Sequence, residues 1–285
     1  MTNRIQVYEP DSHKKQGFFK AWFVMIRNLI QYRELIFQLF VRDFLGGFKK
    51  SIFGIGWLFI SPILGVVAWV FYDSTGILQP GDVGVPYPAY VLLGSMIYGL
   101  FMGFYTAATG TIEAGGGFIM QVNYPHEILL FKQIAQYLAG FVISFVSNVV
   151  VLAIFGIIPS WYILLFPLLV LPLFFLGSSI GLLVAVASVV SNDIRKIVDI
   201  GLSLVQVITP IVYSSDITNQ TLLKLVKWNP LTYLISNVRD MIFFGEMTSP
   251  EGYLISSLIS VMAFLFCWRL FYVSEQRVIE KRLSL

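Results

Sequence analysis

Few residues of this 285-residue chain stand at spacings that could do covalent chemistry. Gly177-Ser178-Ser179-Ile180-Gly181 matches G-x-S-x-G, which presents a nucleophilic serine only on a strand-to-helix elbow. Here it falls inside a long apolar run, where small residues four apart let helices approach closely. Gly99 and Gly103 invite the same packing reading. His13 and His126 are far apart and lack ligand-spaced partners, so no metal site is expected. Gly46-Gly47-Phe48-Lys49-Lys50-Ser51 has letters of a phosphate loop at the wrong spacing, and no Gly is followed directly by Lys. Any nucleotide must therefore be bound by another chain. Asn219-Gln220-Thr221 is a glycosylation sequon of a kind common by chance, and Cys267, the single cysteine, has no intrachain partner. No catalytic residue is expected. The chemistry left is recognition and passage.

The elements that must position such chemistry are hydrophobic. Apolar residues make up 57% of the chain and charged ones 12%, against about 25% charged in soluble domains. That is too few charges to cover a water-facing surface. Lysine and arginine are absent between Lys50 and Lys132 and between Lys132 and Arg195. Long uncharged runs select membrane helices over a membrane barrel. The pattern predicts an all-α polytopic membrane protein, one permease domain over 1–285 with six spans. These lie near Ser51–Tyr72, Ala89–Thr111, Leu129–Ile157, Ile163–Val190, Ile197–Tyr213 and Tyr253–Tyr272.

The connections differ in kind. Asp73–Pro88, rich in Pro, Gly and Asp, reads as an ordered loop, and Pro159-Ser160-Trp161 as a tight turn with an interfacial tryptophan. Ser214–Gly252 is too polar to span and reads as extracytoplasmic re-entrant or interfacial helices. Residues 18–40 carry Phe19, Phe23, Ile26 and Ile30 at helical spacing beside Lys20, Arg27 and Arg33, which predicts a basic amphipathic helix in the headgroup plane. It reads first as an anchor, and alternatively as a gate touching an anionic lipid. With both termini inside, 16 of the 19 basic residues are cytoplasmic, and only Lys224, Lys227 and Arg239 are outside.

Charges within the spans are almost absent. Glu113 lies near the inner end of the second span and Asp193 just past the fourth, and no chain of Asp, Glu or His crosses the midplane. Ion-coupled carriers usually need such groups. Aromatics form 16% of the chain and cluster in the first two spans, in Trp57, Trp69, Phe71, Tyr72, Tyr98, Phe101, Phe104 and Tyr105. Lipid contact and packing explain most of them. Rings that stack on sugar faces are the alternative.

The segments from Arg42 to Pro62, Asn123 to Leu129 and Trp228 to Leu231 with Arg239 resemble, in order, the type-2 export permeases of ABC transporters, and most closely the subgroup that exports O-antigen, capsule or teichoic-acid polymers. Arg42-Asp43-Phe44, Lys49-Lys50-Ser51, Gly54-Ile55-Gly56-Trp57 and Ser61-Pro62 resemble that family's lead-in to the first span, with Phe48 where Tyr is frequent. Asn123-Tyr124-Pro125-His126-Glu127-Ile128-Leu129 is similar to its F/Y-P-x-E-I-L segment. Trp228-Asn229-Pro230-Leu231 with Arg239 is similar to its N-P…R element before the last span.

The resemblance implies a homodimer with two copies of an ABC ATPase, which would bind ATP and Mg; this chain would need no cofactor. It implies translocation of a lipid-linked polysaccharide across the bacterial inner membrane. Residues 114–128 would form the cytoplasmic coupling segment, with Asn123–Leu129 docking into the ATPase. Arg27, Arg33, Arg42, Lys49 and Lys50 lie at the inner headgroup level and would attract a lipid pyrophosphate. Trp57, Trp69, Tyr72, Tyr98, Phe101, Tyr105, Tyr213 and Trp228 would guide the sugar chain. The 214–252 region, with Asn229, Pro230 and Arg239, would gate the outer exit. Partners are the membrane, the ATPase, a second copy and the glycan, and no nucleic acid is implied. Two rivals remain: a same-fold exporter of drugs or lipids, and an integral-membrane glycosyl or acyl transferase. The transferase would need an acid or base near the interface, where only His126 and Glu127 adjoin.

Overall fold

The computed structural model describes residues 18–48, 52–75, 83–114, 127–214, 217 and 219–283, and among these every regular element is helical. The first two helices are α1, Phe18–Gln31, and α2, Arg33–Phe48. They join at Tyr32, whose N–H bonds the Asn28 carbonyl at 2.9 Å and whose carbonyl accepts the Ile36 N–H at 3.0 Å, so helical hydrogen bonding continues across the joint. Phe23, Ile26 and Ile30 form the outward stripe of α1, while Met25 is buried. Trp22 Nε1 donates to the Leu265 carbonyl at 3.2 Å, so α1 also has a partner inside the protein.

Next come α3, Trp57–Thr75, α4, Tyr87–Thr109, and the single turn α5, Thr111–Ala114. They are followed by α6, Glu127–Ile154, the short α7, Phe166–Leu169, and α8, Leu171–Ser188. Then follow α9, Asn192–Ile208, α10, Gln220–Trp228, α11, Pro230–Phe244, and α12, Pro250–Leu283. Among the described residues, five stretches are long and apolar enough to cross a membrane: Gly54–Tyr72, Tyr87–Thr109, Ile128–Ile154, Trp161–Ser188 and Pro250–Ser274. Each matches an expected span to within a few residues.

The fifth expected span, Ile197–Tyr213, differs. Its helix, α9, starts earlier at a Ser191 cap, whose Oγ accepts the Asp193 N–H at 3.2 Å, and stops at Ile208 before Thr209-Pro210. Seventeen residues rise about 25 Å, short of a 30 Å core, and Arg195, Lys196 and Asp199 make the helix amphipathic. Proline lacks the N–H a further turn needs, which sets the stop.

The centre is α4 packed on α8, with α12 on the other side of α8. Glycine makes that approach possible. A Cβ on Gly177 would stand 2.7 Å from the Phe101 carbonyl oxygen, and one on Gly181 2.4 Å from that of Tyr105. The G-x-S-x-G motif is therefore a helix-packing seam. Gly103 does the same for Tyr137, but Gly99 does not: the space beyond it is open, and its carbonyl instead accepts the Tyr137 hydroxyl at 2.7 Å. The outer faces of α3, α6 and α12 carry exposed Ile63, Leu64, Val146, Val150, Leu254 and Phe266, as lipid-facing helices do.

Candidate functional site

Among the described residues, the expected cationic and coupling residues lie where α6 begins, and the expected gate residues lie near the start of α4. At the end where α6 begins, Asn123, Tyr124, Pro125 and His126 lie outside the described residues, as do Lys49 and Lys50. Glu127 is the first residue of α6. Ile128 and Leu129 are buried against Leu29, Tyr32, Leu35 and Ile36, so the first turn of α6 is packed onto the joint of α1 and α2.

Asp43, on α2, ties the same two elements electrostatically. Lys132 Nζ stands 2.8 Å from one Asp43 oxygen, with the Lys132 side chain only 3% exposed, and Arg42 Nε stands 2.6 Å from the other. Burial pushes the Asp43 carboxyl up, but the hydrogen bonds and charges of Arg42 and Lys132 outweigh it and hold the carboxyl below its ordinary range. Arg27 and Arg33 are exposed on α1 and α2. Lys132 was legible as a lone charge at the start of a span. Its partner was not, because 89 residues separate them.

The other group centres on an irregular turn. After α9, Thr209–Tyr213 leaves helical geometry, and its buried backbone groups must find partners inside the protein. Side chains supply them. The Tyr87 hydroxyl donates to the Val212 carbonyl at 2.9 Å, and the Tyr90 hydroxyl to that of Tyr213 at 3.2 Å. Arg239, on α11, is 2% exposed; one of its terminal nitrogens donates to the Pro210 carbonyl at 2.9 Å, and its guanidinium lies 3.7 Å over the Tyr90 ring. Asn229 has two tasks. Its Oδ1 accepts the Leu231 N–H at 3.0 Å, capping α11 ahead of Pro230, and its Nδ2 donates to Thr209 Oγ1 at 2.8 Å. Of the three residues expected to form an outer gate, Asn229 and Arg239 thus both hold the 209–213 turn, and Pro230 is the first residue of α11. The chain leaves α11 through Gly245, whose φ of 78° is the left-handed helix stop that glycine adopts without strain.

The eight aromatics do not share a surface. Trp57 and Tyr72 face outward, Trp228 is 88% exposed, and Trp69 and Tyr213 are half-buried. Tyr98, Phe101 and Tyr105 sit in the core of α4. The Tyr98 hydroxyl donates to the Leu202 carbonyl and that of Tyr105 to Asp199, each at 2.6 Å. Tyr98 and Tyr105 thus tie α4 to α9 and Phe101 is packed in the core, because a 23-residue helix at the centre of the bundle buries rings on all sides. Asp199 is the charge the sequence reading passed over: it lies within the fifth expected span, at helical spacing from Arg195. A tyrosine–carboxylate pair between distant runs has no local signature.

A cavity of about 610 Å³ opens between α3, α4 and α6, bounded by Asp43 at one end and Trp69 at the other.

Comparison with known proteins decides the family. The ABC-2 type transporter pattern matches residues 34–243, nearly three quarters of the chain. This chain belongs to the ABC-2 type transporter family. Its relatives include an O-antigen export system permease protein RfbA of Myxococcus xanthus, 23% identical over 84% of this chain and 91% of that protein. A protein of the same name from Klebsiella pneumoniae is 22% identical over 77% of this chain and 84% of its own length. As an ABC-2 type transporter, the chain is a multi-pass membrane subunit without an ATPase of its own, and it works with a separate ABC ATPase.

Proposed function

We propose that this ABC-2 chain is the transmembrane subunit of an ATP-driven exporter that carries a lipid-linked polysaccharide across the bacterial inner membrane. The observation that carries the reading is the near full-length similarity to permeases named for O-antigen export. In this reading two copies form a homodimer and two ATPase subunits bind ATP and Mg on the inner face. Residues 114–128 receive the ATPase stroke through Tyr124 and Glu127. The packing of Ile128 and Leu129 on α1 and α2 supports that reading, since it gives the stroke a rigid follower.

Both termini are cytoplasmic, and α9 with the turn after it makes the fifth of six crossings. The 9 residues of α10 and 15 of α11 are too short to span, which supports a re-entrant 214–252 region on the outer side. Asn229, Pro230 and Arg239 hold that region closed. Arg27, Arg33, Arg42, Lys49 and Lys50 attract the lipid pyrophosphate, and the exposed rings Trp57, Tyr72 and Trp228 meet the glycan.

Deleting the chain in its host and complementing it tests this. Surface polysaccharide should vanish, lipid-linked polymer should accumulate inside, and an ATPase should co-purify with the complementing copy. Unchanged surface glycan would reject the reading.

A further inference from the structure

We propose that the cavity walled by α3, α4 and α6 holds the single hydrocarbon tail of the lipid phosphate that carries the exported polymer. The proposal rests on the export reading above. On α6, Gln136, Gly140, Ser144 and Asn148 recur at every fourth residue and so form one face, about 18 Å long. That length approximates one leaflet of a core about 30 Å thick. The walls are kept open by glycine: beyond Gly65 and Gly99 nothing lies within 4 Å, and beyond Gly140 only the Leu58 methyls come as near as 3.8 Å. Trp69 and Leu92 stand at the outer end. A cavity of about 610 Å³ drawn out over about 18 Å has room for one chain rather than two.

The residue types on its wall suggest a sugar site, but their geometry does not. The Tyr137 hydroxyl donates to the Gly99 carbonyl at 2.7 Å, Ser144 Oγ to that of Leu58 at 3.2 Å, and Asn148 Nδ2 to that of Ser144 at 2.7 Å. These donors are turned to the backbone, which leaves the surface mostly hydrocarbon and would leave glycan hydroxyls unmatched. At the inner mouth, Arg42 and Lys132 both reach the Asp43 carboxylate, at 2.6 and 2.8 Å. Arg42 is also 58% exposed there, which brings a guanidinium within reach of a phosphate headgroup.

The test uses the permease purified with its ATPase in lipid nanodiscs. One probe is a single-chain alkyl phosphate with a diazirine in its tail; the other is a two-chain phosphatidylglycerol with the same diazirine. The alkyl phosphate should label residues 136–148 at least ten times more than the phosphatidylglycerol. Gly140→Leu should cut that labelling at least tenfold, and Gly99→Leu serves if the first variant fails to insert. Ser144→Ala, which leaves the space open, should label as wild type. Equal labelling by both probes, labelling unmoved by the leucines, or crosslinks from Gly65→Cys to the same residue of a second copy would each overturn the proposal. Surface glycan is scored in parallel. Export without α6 labelling sinks the tail site alone, whereas surface glycan that persists without this chain sinks the export reading.

Discussion

The Lys132 ammonium and the Asp43 carboxylate, 2.8 Å apart, join α6 to α2. Lys132 is almost wholly buried, so removing its counter-charge strands a cation, while Asp43 is partly open to solvent and the cost is correspondingly reduced. Asp43→Asn should destabilise the detergent-solubilised protein by about 1–3 kcal/mol. The effect depends on pH. The folded carboxyl is held below its ordinary value of 3.8, so the pair's contribution is complete above that value and is lost as pH falls through the folded one. Thermal melts should show a constant gap between wild type and Asp43→Asn from neutral pH down to about 5, closing below about 4. A gap independent of pH would mean that the carboxylate's charge is not what stabilises the contact.

The Arg239 clamp makes a different prediction. Arg239→Leu removes the donor to the Pro210 carbonyl and the cation over Tyr90 together. Amides of residues 209–214 should exchange hydrogen faster, with a local loss of about 2–4 kcal/mol. Arg239→Lys should recover only part of it, because an ammonium lacks the planar face that stacks on Tyr90. Unchanged exchange in Arg239→Leu would show that the turn is held by Tyr87, Tyr90 and Asn229 alone.

Glycine contacts at the α4–α8 seam allow an internal control. Gly181→Ala places a methyl 2.4 Å from the Tyr105 carbonyl oxygen and should cost about 1–3 kcal/mol by overpacking. Gly201→Ala, on α9 with nothing within 4 Å, should be neutral or mildly stabilising, as alanine is in a helix. Thermal unfolding of the two variants side by side checks the contrast. Equal melting would mean that the seam yields.

The aromatic residues separate by location. Tyr98 is buried and bonded to Leu202, so Tyr98→Ala should lower stability by about 3–5 kcal/mol and reduce export only in proportion to folded protein. Trp57 is exposed, so Trp57→Ala should leave the melting temperature within about 1–2 °C and still slow polymer export. Surface glycan per folded permease is the measurement. Wild-type export in Trp57→Ala would remove that ring from the path.

These contrasts mark what the chain displays on its own and what it does not. Uncharged runs between Lys50, Lys132 and Arg195 reveal the first four spans, because hydrocarbon tolerates almost no charge. The order of three short motifs reveals the family, since each sits where a helix must begin, dock or stop. The bounds of α9 were not legible for a physical reason: Ile197–Tyr213 is apolar in composition, but its helix starts at the Ser191 cap, Asp199 faces Tyr105, and Pro210 ends it early. Ring burial was equally hidden. Trp57 and Tyr98 look alike in sequence, and only the packing of α4 against α8 and α9 sends one outward and the other in. Asn229 and Arg239 were legible as a pair, but their common target, the 209–213 turn, requires two distant segments to meet.

The most direct measurement places Tyr124 relative to the membrane and the ATPase. With Cys267→Ser and Tyr124→Cys, a membrane-impermeant maleimide should label only inverted vesicles, and a short crosslinker should join the new thiol to the ATPase. Labelling of that thiol in intact cells, with no crosslink to the ATPase, would contradict the account.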